Sequence, residues 1–246
     1  MQVSRQDYRQ DLCPAGMAHF TVAVKETDLW IAVDREAYTH DLPEKTERFV
    51  WQKRRILEEY LQRDPIFART LHPHLAGSGA PPIALEMVRA GNLAGVGPMA
   101  AVAGAFAQFT GEWLLKKCRE VIVENGGDIF LRCSQPVKVG VFAGESFFGR
   151  GLAVKIKPRQ ESCGICTSSG TLGHAYSRGR ADAAVILAGR AALADAVATA
   201  AANMVQSAED LKKALQFTRN IEGVWGALLL LEDKMAAWGQ IELIRR

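Results

Sequence analysis

Asp195 and Thr199 stand four residues apart in Ala194-Asp195-Ala196-Val197-Ala198-Thr199, and on a helix that spacing puts a carboxylate and a hydroxyl on one face. Both are hard oxygen ligands, so the pair could hold Mg²⁺ while water and substrate phosphates complete its shell. An aspartate in the early turns of a helix also complements the helix dipole, which is sufficient reason for Asp195 taken alone. Asn125-Gly126-Gly127-Asp128 offers a bare backbone to a ligand, with Asp128 accepting bonds from hydroxyls or a ring nitrogen. The same four residues are also what a tight hairpin turn demands.

Two more segments carry polar chemistry. In Ala94-Gly95-Val96-Gly97-Pro98, Gly95 and Gly97 precede a proline suited to a helix's first turn, where unpaired N–H groups attract anions. The segment lacks a Walker Lys-Ser/Thr and the GxGxxG spacing, and a plain capping turn packed through small residues explains it equally. In Cys166-Thr167-Ser168-Ser169-Gly170-Thr171, consecutive hydroxyls beside glycine supply donors for phosphate or a flavin edge, or else form a solvent-exposed loop. His174 follows and is the one histidine near any of these segments, which makes it the candidate catalytic side chain. Cys163-Gly164-Ile165-Cys166 is a lone CxxC. Zinc would need a second such pair or histidines at suitable spacing, so a redox or Fe–S role is the reading it leaves. Five cysteines at irregular spacing fit reduced thiols rather than a secreted disulfide framework.

The elements that must position these residues are legible in outline. Runs at His19 to Val24 and Leu29 to Val33, around Lys25-Glu26-Thr27-Asp28, predict a hairpin. Apolar residues recur at helical spacing from Glu44 to Leu61, and Pro65 stops the pattern. A short helix is expected at Ile83 to Arg89, and Pro98 opens another running to about Lys117. A second hairpin, Glu120 to Val123 and Ile129 to Cys133, turns at the Asn-Gly-Gly-Asp segment. Val137 to Phe142 and Gly151 to Ile156 read as a third strand pair, and Ala183 to Leu187 as a further strand. Ala191 to Val205 is helical, Ser207 is an expected N-cap, and Trp225 to Leu231 with Met235 to Ile244 form a last hairpin. Hairpins followed by helices predict an α+β fold with antiparallel sheets and helices packed on them. The order suggests two ββααββ halves, residues 1–135 and 136–246, within one compact structural domain.

Bulk properties exclude several classes. In a chain of 246 residues, 30 basic residues against 27 acidic ones leave a net charge of +3, too small for electrostatic nucleic-acid binding. The densest basic run, Lys53-Arg54-Arg55, falls on an expected solvated helix face. Ala90 to Gly111 carries no charge, but its Ala- and Gly-rich make-up suits a tightly packed interior helix rather than a bilayer span. Met1 to Leu12 has no apolar core of a secretory signal, so a cytoplasmic location is expected. The Ala-rich helices and the open edges of the terminal hairpins leave room for a homodimer.

Taken in order, Gly-Val-Gly-Pro, Asn-Gly-Gly-Asp-Ile, Thr-Ser-Ser-Gly and Ala-Asp-Ala-x-x-Thr resemble the ApbE superfamily, the FAD:protein FMN transferases once described as thiamine biosynthesis lipoproteins. The chain is closer still to a soluble ApbE-like branch in which Gly-Pro-Met-Ala-Ala-Val-Ala-Gly and Asn-Gly-Gly-Asp-Ile occur together. The resemblance covers roughly Met87 to Val205. It implies a duplicated ββααββ, T-fold-like architecture with a pocket between halves. Gly126, Gly127 and Asp128 would line a flavin-nucleotide pocket for FAD or FMN, bordered by Ser168, Ser169 and Gly170, and Asp195 and Thr199 would hold Mg²⁺ beside the pyrophosphate. In the transferases the metal polarises the FAD pyrophosphate for attack by a threonine of a target protein. Pro98 and Ala103 stand where those enzymes carry lysine and aspartate, and their His-x-x-Asp-Pro segment is replaced by Gly173-His174-Ala175-Tyr176-Ser177-Arg178. Three functions follow: a Mg²⁺-dependent flavin or nucleotidyl transferase, a binding protein that kept the pocket without the chemistry, and a redox accessory using Cys163 and Cys166. In the first two the partner is a nucleotide-type small molecule.

Overall fold

The computed structural model describes residues 13–144, 147–149, 151–169 and 179–245. Its first hairpin joins β1 (Met17–Val24) to β2 (Thr27–Asp34) in continuous antiparallel register from Met17↔Asp34 to Val24↔Thr27. Next comes α1 (Leu42–Arg63), whose buried Leu42, Thr46, Val50, Leu57 and Tyr60 form one stripe at helical spacing. Asp64 ends α1 and caps α2 (Pro65–Arg69) through the Phe67 N–H at 3.1 Å. Beyond a Gly- and Pro-containing loop lie α3 (Pro82–Ala94), a 3₁₀ turn at Pro98–Ala101, and α4 (Val102–Leu114). The second hairpin is β3 (Val121–Asn125) and β4 (Asp128–Arg132). After it come β5 (Val137–Val141), β6 (Leu152–Ile156), β7 (Cys163–Ser168) and β8 (Ala183–Ala188). The chain then forms α5 (Ala191–Met204), α6 (Asp210–Arg219), β9 (Val224–Leu231), β10 (Lys234–Gly239) and β11 (Leu243–Arg245).

Eight strands make one antiparallel sheet in the order β1-β2-β3-β4-β7-β8-β9-β10. Each set of four is a strand pair, helices, and a second strand pair, and the sets meet where β4 pairs with β7. Helices cover one face, onto which Val22, Ile31, Val123, Phe130 and Ile186 project. The opposite face, carrying Trp30, Ile122, Leu131, Ile165, Leu187 and Leu228, packs on a second sheet ordered β11-β6-β5. Coverage on both sides explains why all six residues of β8 are buried and apolar rather than alternating. The α+β class and the helices on an antiparallel sheet are as expected.

Several local expectations change. β5 and β6 do form a pair, but in the separate sheet, and the strand that abuts the first four is β7, which the sequence suggests as a loop. Its glycine weakens strand propensity, but Gly164 is required: a Cβ there would lie 2.3 Å from the Cα of Ala191. The helix expected at Ile83 extends to Ala94, where Gly95 at φ 72° terminates it in the left-handed conformation. Ser207 is not the cap of α6. The cap position belongs to Glu209, which makes no side-chain cap bond, while Asp210, the first helical residue, reaches back so that its Oδ2 accepts from the N–H groups of Gln206 and Ser207 at 3.0 and 2.9 Å. The last hairpin stops at Gly239, and Leu243–Arg245 crosses to pair with β6.

No single described helix is long and apolar enough to cross a bilayer. The apolar pair Pro82–Ala94 and Pro98–Leu114 bends by 105° at its break and contributes its buried faces to the core.

Candidate functional site

The seam between β4 and β7 carries the chemistry. Gly126 and Gly127 adopt φ values of 66° and 113°, so the two-residue turn between β3 and β4 needs positive φ at both positions and glycine meets that need. This turn places Asn125 and Asp128 opposite one another as the hairpin's last pair. Asp128 also faces Cys166 across the seam. Both project to the helical side, where the Asn125 side chain donates from Nδ2 to the Ala103 carbonyl at 3.0 Å. Ser168 lies two residues beyond Cys166 and shares that face by strand alternation, while Thr167 points to the other.

Above this face the N-terminal turns of α4 and α5 meet. A Cβ at Gly104 would stand 2.4 Å from the Ala191 carbonyl oxygen, so glycine permits the close crossing. Asp195, in the second turn of α5, accepts from the Gly104 N–H at Oδ2 over 2.8 Å. The Cys166 thiol donates to the Ala191 carbonyl at 3.3 Å. Thr199 follows one turn after Asp195 on the same helix and is half-buried. The start of α5 is pinned from outside the corner: Gln108, fully buried on α4, accepts from the Ala192 N–H at 3.3 Å and donates to Glu86, which is paired with Arg190.

Asp128 and Asp195 are each only 9% exposed. Burial pushes Asp128 up to about 7, opposed by its hydrogen bond with Cys166 and assisted by the charge of Glu124. Asp195 is raised well above the usual carboxylate range, first by burial and then by the charge of Asp128, while the N–H groups of Gly104 and Ala103 pull the other way. Burial, with both carboxylates beside it, also holds the Cys166 thiol well above its ordinary value. When both are ionised the two carboxylates repel each other in this buried corner, against two helix N-terminal turns that carry partial positive charge. A divalent cation there would relieve that repulsion, and the oxygen-rich donor set of Asp128, Asp195 and the Thr199 hydroxyl suits a hard ion. Among the described residues no three His, Cys, Asp or Glu side chains cluster as a metal site, so such an ion would need water or a ligand's own oxygens.

The other sequence candidates fall out differently. Gly95 and Gly97 do not present free N–H groups: Gly95 donates to the last turn of α3, and Gly97 donates to the Leu71 carbonyl at 3.0 Å. A Cβ at Gly97 would sit 1.9 Å from the Thr70 carbonyl oxygen, so close packing dictates the residue. Cys163 and Cys166 lie on one strand three residues apart, and their side chains enter opposite cores. They cannot act as one dithiol, which removes the redox reading of the CxxC pair. Gly170 and His174 lie outside the described residues. Sequence reasoning missed Glu124, buried on the face away from the helices, where its Oε1 accepts from the Gly127 N–H at 2.8 Å. The Asn-Gly-Gly-Asp turn that follows it is the signal that could have raised it. Gln108 and Arg190 offered no such signal.

Among known proteins, the chain is 37% identical over 230 residues to the UPF0280 protein of Methanosarcina barkeri, covering 93% of this chain and 88% of that one. It is 43% identical over 192 residues to the UPF0280 protein of Methanothrix thermoacetophila, covering 77% and 80%. By structure it resembles the flavin transferase ApbE from Vibrio cholerae, with a TM-score of 0.62 at 14% identity over 92% of this chain and 98% of the other. The ApbE protein of Thermotoga maritima aligns with a TM-score of 0.57 at 15% identity, over 91% and 97%. Both structural likenesses establish the fold. Residues 10–242 match the family described as AbpE bacteria, and this chain, an ApbE-like protein in fold and in sequence, belongs to that family.

Proposed function

We propose that the corner formed by Asp128, Asp195 and the first turns of α4 and α5 binds a flavin nucleotide, FAD or FMN, or a closely related phosphate-bearing molecule together with Mg²⁺. The observation that carries this reading is the convergence of two buried carboxylates from separate parts of the chain, both raised by burial and Asp195 further by the charge of Asp128, beneath two helix N-terminal turns. The likeness in fold to a protein titled a flavin transferase supports flavin as the ligand class. Asp195, Thr199 and Asp128 would hold the cation, which when bound would polarise a phosphate of the ligand. The chain's own part is to orient and exclude water. Gly104 fixes one oxygen of Asp195, Asn125 ties the hairpin tip to α4, and the Gln108–Glu86–Arg190 network holds the start of α5. Ser168, on the helical face of β7, and Ser169 just after it would border the same ligand.

On this reading the activity is Mg²⁺-dependent transfer of an FMN or nucleotidyl group. A second reading, binding without transfer, is favoured by Pro98 and Ala103. Pro98 opens a buried 3₁₀ turn, and at Ala103 the backbone carbonyl, rather than a side chain, makes the polar contact. Thermal melting with FAD, with and without Mg²⁺, tests the shared part of both. Saturation at about a hundredfold over Kd should add about 2.7 kcal/mol. Absence of any Mg²⁺-dependent rise overturns the site. Conversion of FAD to AMP over hours then separates transferase from carrier.

A further inference from the structure

At the other end of the large sheet, a concavity of about 810 Å³ opens among the C-terminal ends of β2 and β4, the N-terminal end of β3 and the segment before β7. Four arginines line it: Arg35, Arg119, Arg132 and Arg159. Asp128 and Arg132 are the first and last residues of β4, so the concavity lies roughly 13 Å along the strand from the carboxylate corner, at about 3.3 Å per residue.

The carboxylates on its rim are already engaged. Asp34 accepts from the Arg119 and Glu120 N–H groups at 2.8 and 3.0 Å, Glu120 from the Ser134 N–H, and Glu36 pairs with Arg119. The other three guanidinium groups have no carboxylate partner among the described residues. They are held in place by neutral groups. Arg35 donates to the Met17 carbonyl, and Arg132 donates to those of Arg119 and Cys118. Arg159 stacks 4.7 Å from the Trp225 ring centroid, donates to Gln240, and keeps a buried Nε with no hydrogen-bond partner. Guanidinium groups held by neutral partners and keeping spare donors make a receptor for anions, because planar N–H pairs match phosphate and carboxylate oxygens, and the rim carboxylates Asp34, Glu36 and Glu120 are turned to other donors. Four arginines against the three carboxylates of Asp34, Glu36 and Glu120 leave the lining only one positive charge ahead, so recognition rests on the directed guanidinium donors rather than on bulk charge.

We infer that this concavity is a second binding site, separate from the carboxylate corner, for a small polyanion bearing two or more phosphate or carboxylate groups. The size agrees with a small-molecule site of roughly 300–1,000 Å³, and one phosphate group would leave most of the arginines unmatched.

Isothermal titration of the full chain with inorganic pyrophosphate, and separately with citrate, tests the inference. Saturable binding that weakens as ionic strength rises is expected. Arg35→Gln and Arg159→Gln should each weaken it roughly tenfold, the loss of about one charge-assisted contact. Arg159→Lys should recover part of that loss, and Arg119→Gln should cost less because its partner is Glu36. Tighter binding of pyrophosphate assigns the site to phosphorylated ligands, and tighter binding of citrate to polycarboxylates. Arg35 is exposed, so its variant keeps the test valid if Arg159→Gln fails to fold. Three results would overturn the site: no heat at millimolar pyrophosphate and citrate, unchanged affinity in Arg35→Gln, or loss of binding in Asp128→Asn, which would move the anion to the other end of the sheet.

Discussion

Asp195 on α5 accepts a 2.8 Å hydrogen bond from the backbone N–H of Gly104, the third residue of α4 and 91 positions earlier in the chain. One side chain thereby caps a helix from the first half of the chain while standing on a helix from the second. The same carboxylate faces Asp128 on the seam strand. Its role in holding two helices together and the role proposed for it toward a cation can be separated experimentally.

Asp195→Ala should destabilise the protein by about 1–2 kcal/mol through loss of the cap to α4. Asp195→Asn keeps an oxygen acceptor for Gly104 and should cost less. Both substitutions should abolish any Mg²⁺-dependent rise in melting temperature. Chemical denaturation with and without Mg²⁺ reads both effects, and an asparagine variant that retains the Mg²⁺ response would remove Asp195 from the cation site.

The pH dependence should run opposite to that of a salt-bridged acid. Asp128 titrates near 7 in the folded chain and near the ordinary carboxylate value, about 3.9, when unfolded, and Asp195 is raised in the same direction. The folded state therefore binds more protons between these values. The stabilising contribution is complete below about pH 4 and is lost as pH rises through 7. Melting temperatures in chelator should fall across this interval from these two groups, and Asp128→Asn should flatten the fall. A melting profile in Asp128→Asn as steep as that of the parent would contradict the assignment.

Two glycine substitutions should rank in a definite order. Gly126→Ala places its Cβ in open space but keeps a left-handed φ, a cost of about 1 kcal/mol. Gly164→Ala drives a Cβ to within 2.3 Å of the Ala191 backbone and should cost about 1–3 kcal/mol or more. Because Ala191 begins the helix carrying Asp195, Gly164→Ala should also weaken Mg²⁺-dependent ligand binding. Equal melting temperatures for the two variants would show that α5 yields freely.

Mild oxidation of the native protein should produce no Cys163–Cys166 disulfide in a peptide map. The two thiols lie on opposite faces of β7, and burial raises Cys163 to about 11, leaving little thiolate to react. A cross-link between them formed without unfolding would restore the dithiol reading.

What the sequence discloses depends on how local the cause is. The amphipathic stripe of α1 and the glycine turn between β3 and β4 are dictated by neighbouring residues, so both can be read directly. β7 could not be. The hydroxyl-and-glycine run that begins in it reads as a loop, and only the closeness of Ala191 shows why a glycine-containing strand belongs there. The ordered motifs made Asp128 and Asp195 visible as candidates, and their contact through the seam requires the fold. Gln108, Glu86 and Arg190 act through partners as far as 104 residues away, and no local pattern distinguishes them from ordinary helix residues.

The complete enclosure of β8 has a consequence during synthesis. Ala183-Ala184-Val185-Ile186-Leu187-Ala188 is a six-residue apolar run with no charge and no proline, the composition of an adhesive cross-β segment when left uncovered. It leaves the ribosome before β9, which pairs with it, and before α5, which roofs it. Until those arrive, self-association of nascent chains competes with folding, and a lysine at Val185 should slow that clumping at the expense of the finished core.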